Sequence, residues 1–290
     1  MSLTAAVRIE ALSEALPFIQ KLQGQPLVIK YGGSAMEDEQ GIERTLRDVA
    51  FLATVGLRPV IVHGGGKAIT ARLRDAGVKP VFVGGLRVTD AASMRLVAET
   101  LDGQVNGMIV AKLGATRCKA VGLSGRNFVL AKKAALVPTN DGNVDLGAVG
   151  DVEKVSLEGI HAALNRGEVP VMSPLGRDAA GQLLNVNADT VAGATAAALG
   201  AGRLVFISDV PGLMRDPKIA DSLIPSLQSA QVAGLLKQGI IVGGMIPKVE
   251  SALLALSRGV ERVHLIDGRI PHALLIALFT PHGIGTEMLP

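Results

Sequence analysis

Short apolar runs that end in glycine-rich loops constrain this chain more than any other feature. Leu27-Val28-Ile29-Lys30-Tyr31-Gly32-Gly33-Ser34 reads as a buried strand closed by a lysine and paired glycines. Further along, Val60-Ile61-Val62-His63-Gly64-Gly65-Gly66 repeats the design, with a helical pattern behind it. Strands that alternate with helical patterns imply crossover connections, and so a mainly parallel sheet covered on both faces. Glycines at the strand ends let backbone N–H groups approach an anion closely, and Lys30 places a point charge beside that cradle. Taken alone, strand–Lys–Gly-Gly is equally an ordinary strand-end turn with a solvated lysine.

The rest of the chain keeps the alternation. Strands are expected at 27–30, 60–63, 119–123, 169–172, 204–208 and 260–266. Helices are expected at 40–55, 67–76, from Thr89-Asp90 toward Leu113, at 156–166, from Asn187 to near Gly200, and at 228–238, 247–258 and 271–279. Residues 126–150, polar and glycine-bearing, read as a hairpin region. Residues 5–22 form an amphipathic helix with Val7, Leu12, Leu16 and Ile19 on one face. Pro17 inside it is expected to kink or break it.

Composition excludes several function classes. Aromatic residues make up 2% with no Trp, so stacking of nucleic-acid bases on aromatic platforms is not expected. The formal charge is +3, and no basic cluster exceeds Lys132-Lys133. Mean hydropathy is high at +0.39, yet the longest stretch free of Asp, Glu, Lys and Arg, 270–286, is broken by Pro271, His272, Pro281 and His282, which argues against a transmembrane helix. The N-terminus lacks the design of a signal peptide. The one cysteine, Cys118, allows no internal disulfide and no Cys-x-x-Cys metal site, and points to a reducing, cytoplasmic compartment.

Six blocks in order, the two above together with Gly84-Gly85-Leu86-Arg87-Val88-Thr89-Asp90, Asn185-Val186-Asn187-Ala188-Asp189-Thr190, Leu204-Val205-Phe206-Ile207-Ser208-Asp209-Val210-Pro211-Gly212-Leu213 and Gly243-Gly244-Met245-Ile246-Pro247-Lys248-Val249-Glu250, closely resemble the amino-acid kinase family. The resemblance runs from about Leu27 to Thr286. It implies a three-layer αβα sandwich with a mainly parallel central sheet plus an N-terminal helix. It divides the chain into an N-terminal helix at 1–24, an N-acetylglutamate-binding and dimerisation lobe at 25–180 and an ATP-binding lobe at 181–290. Within the family the blocks look like those of members that use ATP to phosphorylate the γ-carboxylate of N-acetyl-L-glutamate, a step of arginine biosynthesis.

Phosphoryl transfer needs positive charge around the moving group more than it needs a covalent partner. No Walker A loop, H-R-D catalytic loop or D-F-G triplet is present, so glycine loops and lysines must serve. The resemblance implies that Lys30 contacts the transferred phosphate, that Lys248 stabilises the leaving side and that Asp189 holds both lysines. A first-turn lysine such as Lys248 opposes the helix dipole unless an anion binds there. An Asp at a helix start such as Asp189 is also a normal cap. Gly65 and Gly66 would hold the reacting carboxylate, Arg87 the α-carboxylate through its planar fork, and Asn185 the acetamido group. Arg87 could instead pair with Asp90, and Asn187 could simply cap its helix. His63 reads as structural rather than as a base.

Gly32, Gly33, Asp209, Val210, Gly212, Leu213 and Met214 would meet ATP, with Ile240, Ile241 and Val242 lining the adenine pocket. Mg²⁺ is implied through the ATP phosphates, with no protein metal ligand. The sequence departs from the family pattern at Lys67-Ala68, at Val105-Asn106-Gly107 and at Gly125-Arg126-Asn127-Phe128, and the last two read as local variation away from the catalytic set.

The segment before Leu27 and the block His282-Gly283-Ile284-Gly285-Thr286 resemble relatives that form hexamers, trimers of dimers, inhibited allosterically by L-arginine. Phe18 stands where related N-terminal helices often carry Tyr. A PII-type regulator is a possible partner that no residue here supports. Two alternatives stay open: a kinase for a related carboxylate such as an aminoadipate derivative, since one methylene changes discrimination by only about 1–3 kcal/mol, and a non-catalytic arginine sensor on the same fold.

Overall fold

Alternation along each strand sets the layers. In β1 (Pro26–Tyr31), Leu27, Ile29 and Tyr31 enter one hydrophobic core while Val28 enters the other. Fully burying each such side chain stabilises the fold by about 1.5–3 kcal/mol. The same period turns Lys30 onto the Val28 face. It is 8% exposed there, a position tolerable for a charge only with a partner.

The computed structural model describes residues 4–139, 142–281 and 283–290. Residues 1–3 of the N-terminal segment, 140–141 of the expected hairpin region and His282 of the C-terminal block lie outside the described residues. After β1 come β2 (Arg58–His63), β3 (Phe82–Val83), β4 (Leu86–Arg87), β5 (Ala120–Ser124), β6 (Val129–Lys133), β7 (Val137–Thr139), β8 (Gly142–Val144), β9 (Val149–Val155) and β10 (Val169–Ser173). Then follow β11 (Leu175–Arg177), β12 (Leu183–Val186), β13 (Arg203–Ser208), β14 (Ser226–Gln228), β15 (Arg262–Asp267) and β16 (Thr286–Leu289). The helices are α1 (Ala5–Leu22), α2 (Glu39–Thr54), α3 (Gly66–Asp75), α4 (Ala91–Ala98), α5 (Asn106–Ala115), α6 (Glu158–Asn165), α7 (Ala188–Leu199), α8 (Val232–Lys237), α9 (Met245–Ser257) and α10 (Ala273–Phe279).

One eight-stranded sheet in the order β14-β16-β15-β13-β1-β2-β10-β5 runs through the molecule, parallel at every pairing except β15 with β16. Helices α2, α5 and α10 cover one face through Val49, Leu52, Ile109, Leu113 and Leu274. Helices α3, α7 and α9 cover the other through Leu73, Val191, Ala196, Val249 and Ala252. The expected αβα sandwich with an N-terminal helix is what forms. Strands β6, β9, β12 and β11 close a small four-stranded barrel beside the sheet. Among the described residues no helix is long and apolar enough to cross a membrane.

Several local expectations need correction. Pro17 does not break α1, which runs as one helix through it. Ser13, whose carbonyl loses its N–H partner, is exposed, so that carbonyl is left open to solvent rather than buried unpaired. The segment 228–238 begins as the end of β14 and a 3₁₀ turn before α8. The long helix after Asp90 is α4 and α5 joined by a π-helical turn, Glu99–Val105. The barrel strands β11 and β12 and the ribbon β3–β4 were not expected, because two- to four-residue strands show too little periodicity.

Candidate active site

A buried charge cluster joins three elements at the carboxyl end of β1. Lys30 Nζ lies 3.1 Å from Asp189 Oδ1, and Lys248 Nζ donates to Asp189 Oδ2 at 2.8 Å. The side chains are 10%, 7% and 15% exposed for Lys30, Asp189 and Lys248. Asp189 is the second residue of α7, whose start is fixed by Asn187. The Asn187 Oδ1 accepts from Asp189 N at 2.7 Å and from Thr190 N at 3.4 Å. Lys248 is set by α9, which packs tightly on α7. A Cβ on Gly193 would fall 2.8 Å from both Ser251 Cβ and its carbonyl oxygen, so only glycine permits this approach. Burial pushes the Asp189 carboxyl up, but the Lys30 and Lys248 ammonium groups outweigh it and hold the carboxyl below its ordinary value. Two cations against one anion leave the cluster net positive.

On one side of the cluster two adjoining cavities, about 210 and 540 Å³, share Lys30, Gly64, Gly65, Gly66, Phe82 and Arg87. Gly65 stands at the start of α3 with no side-chain cap, so the first N–H groups of that helix are available to an anion. Arg87, 7% exposed, donates from Nη2 to Gly66 O at 2.8 Å and to Thr70 Oγ1 at 2.7 Å, and its Cζ sits 4.6 Å over the Phe82 ring. Its Nη1 is buried without a partner among the described residues, and burial lowers its pKa. The alternative Arg87–Asp90 pair does not form. Asp90 instead caps α4, accepting from Ser93 N at 2.7 Å. Asn185 lines the smaller cavity and donates to Thr89 Oγ1 at 3.3 Å.

On the other side a cavity of about 450 Å³ is lined by Asp209, Val210, Gly212, Leu213, Met214, Ile240, Val242 and Lys248. Helix α9 starts here at Gly244, also without a side-chain cap. Ile241 does not line it and is 2% exposed in the core. Gly32 does not line it either: a Cβ there would fall 3.2 Å from Gly64 N and from Lys30 Nζ. Gly33, at φ +74°, lines the cavity on the Arg87 side, and a Cβ there would stand 3.9 Å from Asp209 Oδ1.

Sequence reading passed over several residues that shape the site. Thr70 and Phe82 frame Arg87. Thr286 Oγ1 accepts from Leu213 N at 2.8 Å and donates to Ile224 O at 2.7 Å, pinning the 209–214 loop. His63 is fully buried, and burial pushes its pKa down to about 4, so the ring is neutral at neutral pH. Its partner is Asn106, and Arg126 binds Asp102. Asn106 and Arg126 lie in the two segments read as local variation, and they meet His63 and Asp102 rather than Lys30, Asp189 or Lys248. These partners are distant in sequence, and the sequence reading singled out only the segments that contain Asn106 and Arg126, not these contacts.

The model of the amino acid kinase family matches residues 25–267. Acetylglutamate kinase of Synechococcus elongatus is 48% identical over 287 residues, covering 98% of this chain and 93% of that one. Acetylglutamate kinase of Methanocaldococcus jannaschii is 48% identical over 285 residues, covering 96% and 95%. Among solved structures, N-acetylglutamate synthase from Neisseria gonorrhoeae complexed with coenzyme A and N-acetyl-glutamate superimposes with a TM-score of 0.83 at 26% identity over 97% of this chain, which spans 63% of the synthase. The same synthase complexed with coenzyme A and L-arginine gives a TM-score of 0.79, again at 26% identity and over 97% of this chain, and 65% of the synthase is covered. The family match across most of the chain, the near-full-length relatives and the shared fold lead to one conclusion: the chain belongs to the amino acid kinase family.

Proposed function

We propose that this chain transfers the γ-phosphoryl group of ATP to the γ-carboxylate of N-acetyl-L-glutamate, giving N-acetyl-L-glutamyl 5-phosphate and ADP in arginine biosynthesis. The observation that carries the reading is one buried carboxylate, that of Asp189, holding two lysines that face opposite cavities. A carboxylate oxygen attacks the γ-phosphorus as the bond to the β,γ-bridging oxygen breaks. Lys30 neutralises charge on the moving group and Lys248 on the departing ADP. No general base is required, because the attacking carboxylate is already ionised at neutral pH.

The Gly65 and Gly66 N–H groups orient the reacting carboxylate. Arg87 offers its unpartnered Nη1 to the α-carboxylate, and Asn185 meets the acetamido group. Asp209, Val210, Gly212, Leu213, Met214, Ile240 and Val242 hold the nucleotide, and Gly33 spans the two sites. Mg²⁺, carried on the ATP phosphates, adds charge neutralisation to the leaving side. Residues 25–180 act as the acceptor lobe and 181–290 as the nucleotide lobe. A single cysteine suits the cytoplasm.

Feedback inhibition by L-arginine belongs to the same reading. A cavity of about 340 Å³ under α1 is lined by Phe18, Lys21, Arg262, His264 and Glu287, with charges of both signs for a zwitterionic ligand. Helix α1 leaves Val7, Ile9, Leu12 and Leu16 at 44%, 63%, 61% and 51% exposure, which favours packing against a second copy and a hexamer built as a trimer of dimers.

The test is ATP-dependent acyl-phosphate formation trapped with hydroxylamine on N-acetyl-L-glutamate, L-glutamate and N-acetyl-L-aminoadipate, with and without L-arginine. Preference for N-acetyl-L-glutamate is expected, with loss of rate under arginine. No product on any of the three would sink the reading. A dimer mass by light scattering that is unchanged on deleting residues 1–22 would remove the hexamer.

A further inference from the structure

We propose that Asn106, acting through His63, is a positioning residue that fixes the Gly64–Gly66 loop for phosphoryl transfer, and that the π-helical turn Glu99–Val105 is the brace from which it acts. The inference rests on the reading that this loop orients the reacting carboxylate.

The brace is tied to the sheet. Asp102, inside the π turn, accepts from Ser173 Oγ at 2.5 Å and from Ser124 Oγ at 2.9 Å, and it pairs with Arg126. Ser173 and Ser124 are the last residues of β10 and β5, so the turn is anchored to the carboxyl end of the sheet. Ser173 Oγ also accepts from Gly125 N at 3.2 Å.

From that anchor the turn reaches the loop at two places. Leu101 and Val105 back onto Gly65, where a Cβ would fall 2.6 Å from Leu101 Cδ2 and 3.6 Å from Val105 Cγ2. Asn106, the next residue, places its amide on His63. Its Nδ2 donates to Val171 O at 2.8 Å and to His63 Nε2 at 3.1 Å. The Oδ1 sits in the space that a side chain at Gly122 would fill, where a Cβ would be 2.3 Å away, so glycine at 122 makes room for the amide. With Nε2 accepting, the ring proton sits on Nδ1 and is donated to Gly64 O at 2.9 Å. Gly64 N in turn donates to Tyr31 O at 2.7 Å. Both sides of the Gly64 residue are thus held, and the directions of the next two N–H groups follow. The charged or titratable groups near the ring are Asp102 from the π turn and Tyr31 from the neighbouring strand, whose hydroxyl donates to Ala35 O. π turns within α-helices recur at functional sites, and an ångström of misplacement far from the chemistry costs about 100-fold in rate.

The test compares Asn106→Ala, Asn106→Asp and the parent, with Leu113→Ala on α5 as a control for general loosening. His63 is followed by ¹H–¹⁵N NMR and assigned by loss of its signals in His63→Gln. In the parent, His63 is expected to stay neutral and protonated at Nδ1 from pH 5.5 to 9. Asn106→Ala is expected to lower kcat by about 10- to 100-fold with both KM values within about threefold, a loss exceeding that of Leu113→Ala.

In Asn106→Asp a carboxylate faces Nε2 and raises the ring's affinity for a second proton. The charged ring keeps its Nδ1–H on Gly64. On deprotonation the remaining proton stays at Nε2 and the Gly64 bond is lost. Activity of this variant is therefore expected to fall as pH rises through the His63 titration, a limb absent in the parent. An active parent whose Asn106 variants keep kcat within twofold, track the Leu113→Ala control, or share the parent's pH profile overturns this inference alone. A parent that forms no acyl phosphate overturns the functional reading and this inference with it.

Discussion

Asp189 supplies the counter-charge for two ammonium groups at 3.1 and 2.8 Å, and Asp189→Asn removes that charge while keeping the side chain's size. Neutralising one partner of a buried ion pair costs about 3–5 kcal/mol, because the remaining charge is stranded away from water. Here both cations are stranded, each only 10–15% exposed. With an unfolding entropy of about 2.1 cal/mol/K per residue over 290 residues, that loss lowers Tm by about 5–8 °C. Raising the salt concentration does not restore it, since the pair is buried.

The same variant is expected to lose about 100- to 1,000-fold in kcat as the lysines leave their positions. ATP brings negative charge to those lysines, so its stabilising shift in Tm should be larger in the variant than in the parent. The Asp189 carboxyl is held below its ordinary value, so its contribution is complete above about pH 3.9 and disappears as pH falls through the lower folded value. The variant should lack that acid limb. Thermal unfolding with and without ATP, alongside the hydroxamate assay, reads all three effects. A Tm within 1 °C of the parent with kcat within tenfold, or a smaller ATP shift than in the parent, would refute the reasoning.

Arg87→Lys loses the planar fork and the stacking on Phe82, and should raise KM for N-acetyl-L-glutamate by about tenfold or more while leaving KM for ATP unchanged, as initial-rate kinetics would show. Gly65→Ala drives a methyl group into Leu101 and should reduce kcat, with part of the rate recovered in the double variant carrying Leu101→Ala. Burial holds His63 and His264 near pKa 4, below the unfolded value of about 6.5. The unfolded chain therefore binds more protons between those values, and stability is present above pH 6.5 and declines as pH falls, by about 2 kcal/mol per histidine between pH 7 and pH 5. Urea midpoints at these two pH values check this, and His63→Gln should flatten the slope.

Much of the architecture is local and was therefore legible. The period of two in β1 and β2 places Lys30 and Val28 on one face, because successive side chains of a strand must alternate. Asp90 and Asn187 mark helix starts because a short polar side chain satisfies the first free N–H groups wherever it precedes a helix. The order of the glycine loops and the count of charges follow in the same way. What the residues could not determine alone was which distant partners meet. Lys30, Asp189 and Lys248 come together because β1 lies between β2 and β13, with α7 packed across it and α9 packed on α7. The partners of Arg87, the Asn106–His63 contact and the π turn were likewise decided by packing. A local pattern records only the energy of neighbouring residues, whereas a buried charge or amide takes its partner from whichever element the folded sheet brings within hydrogen-bond reach.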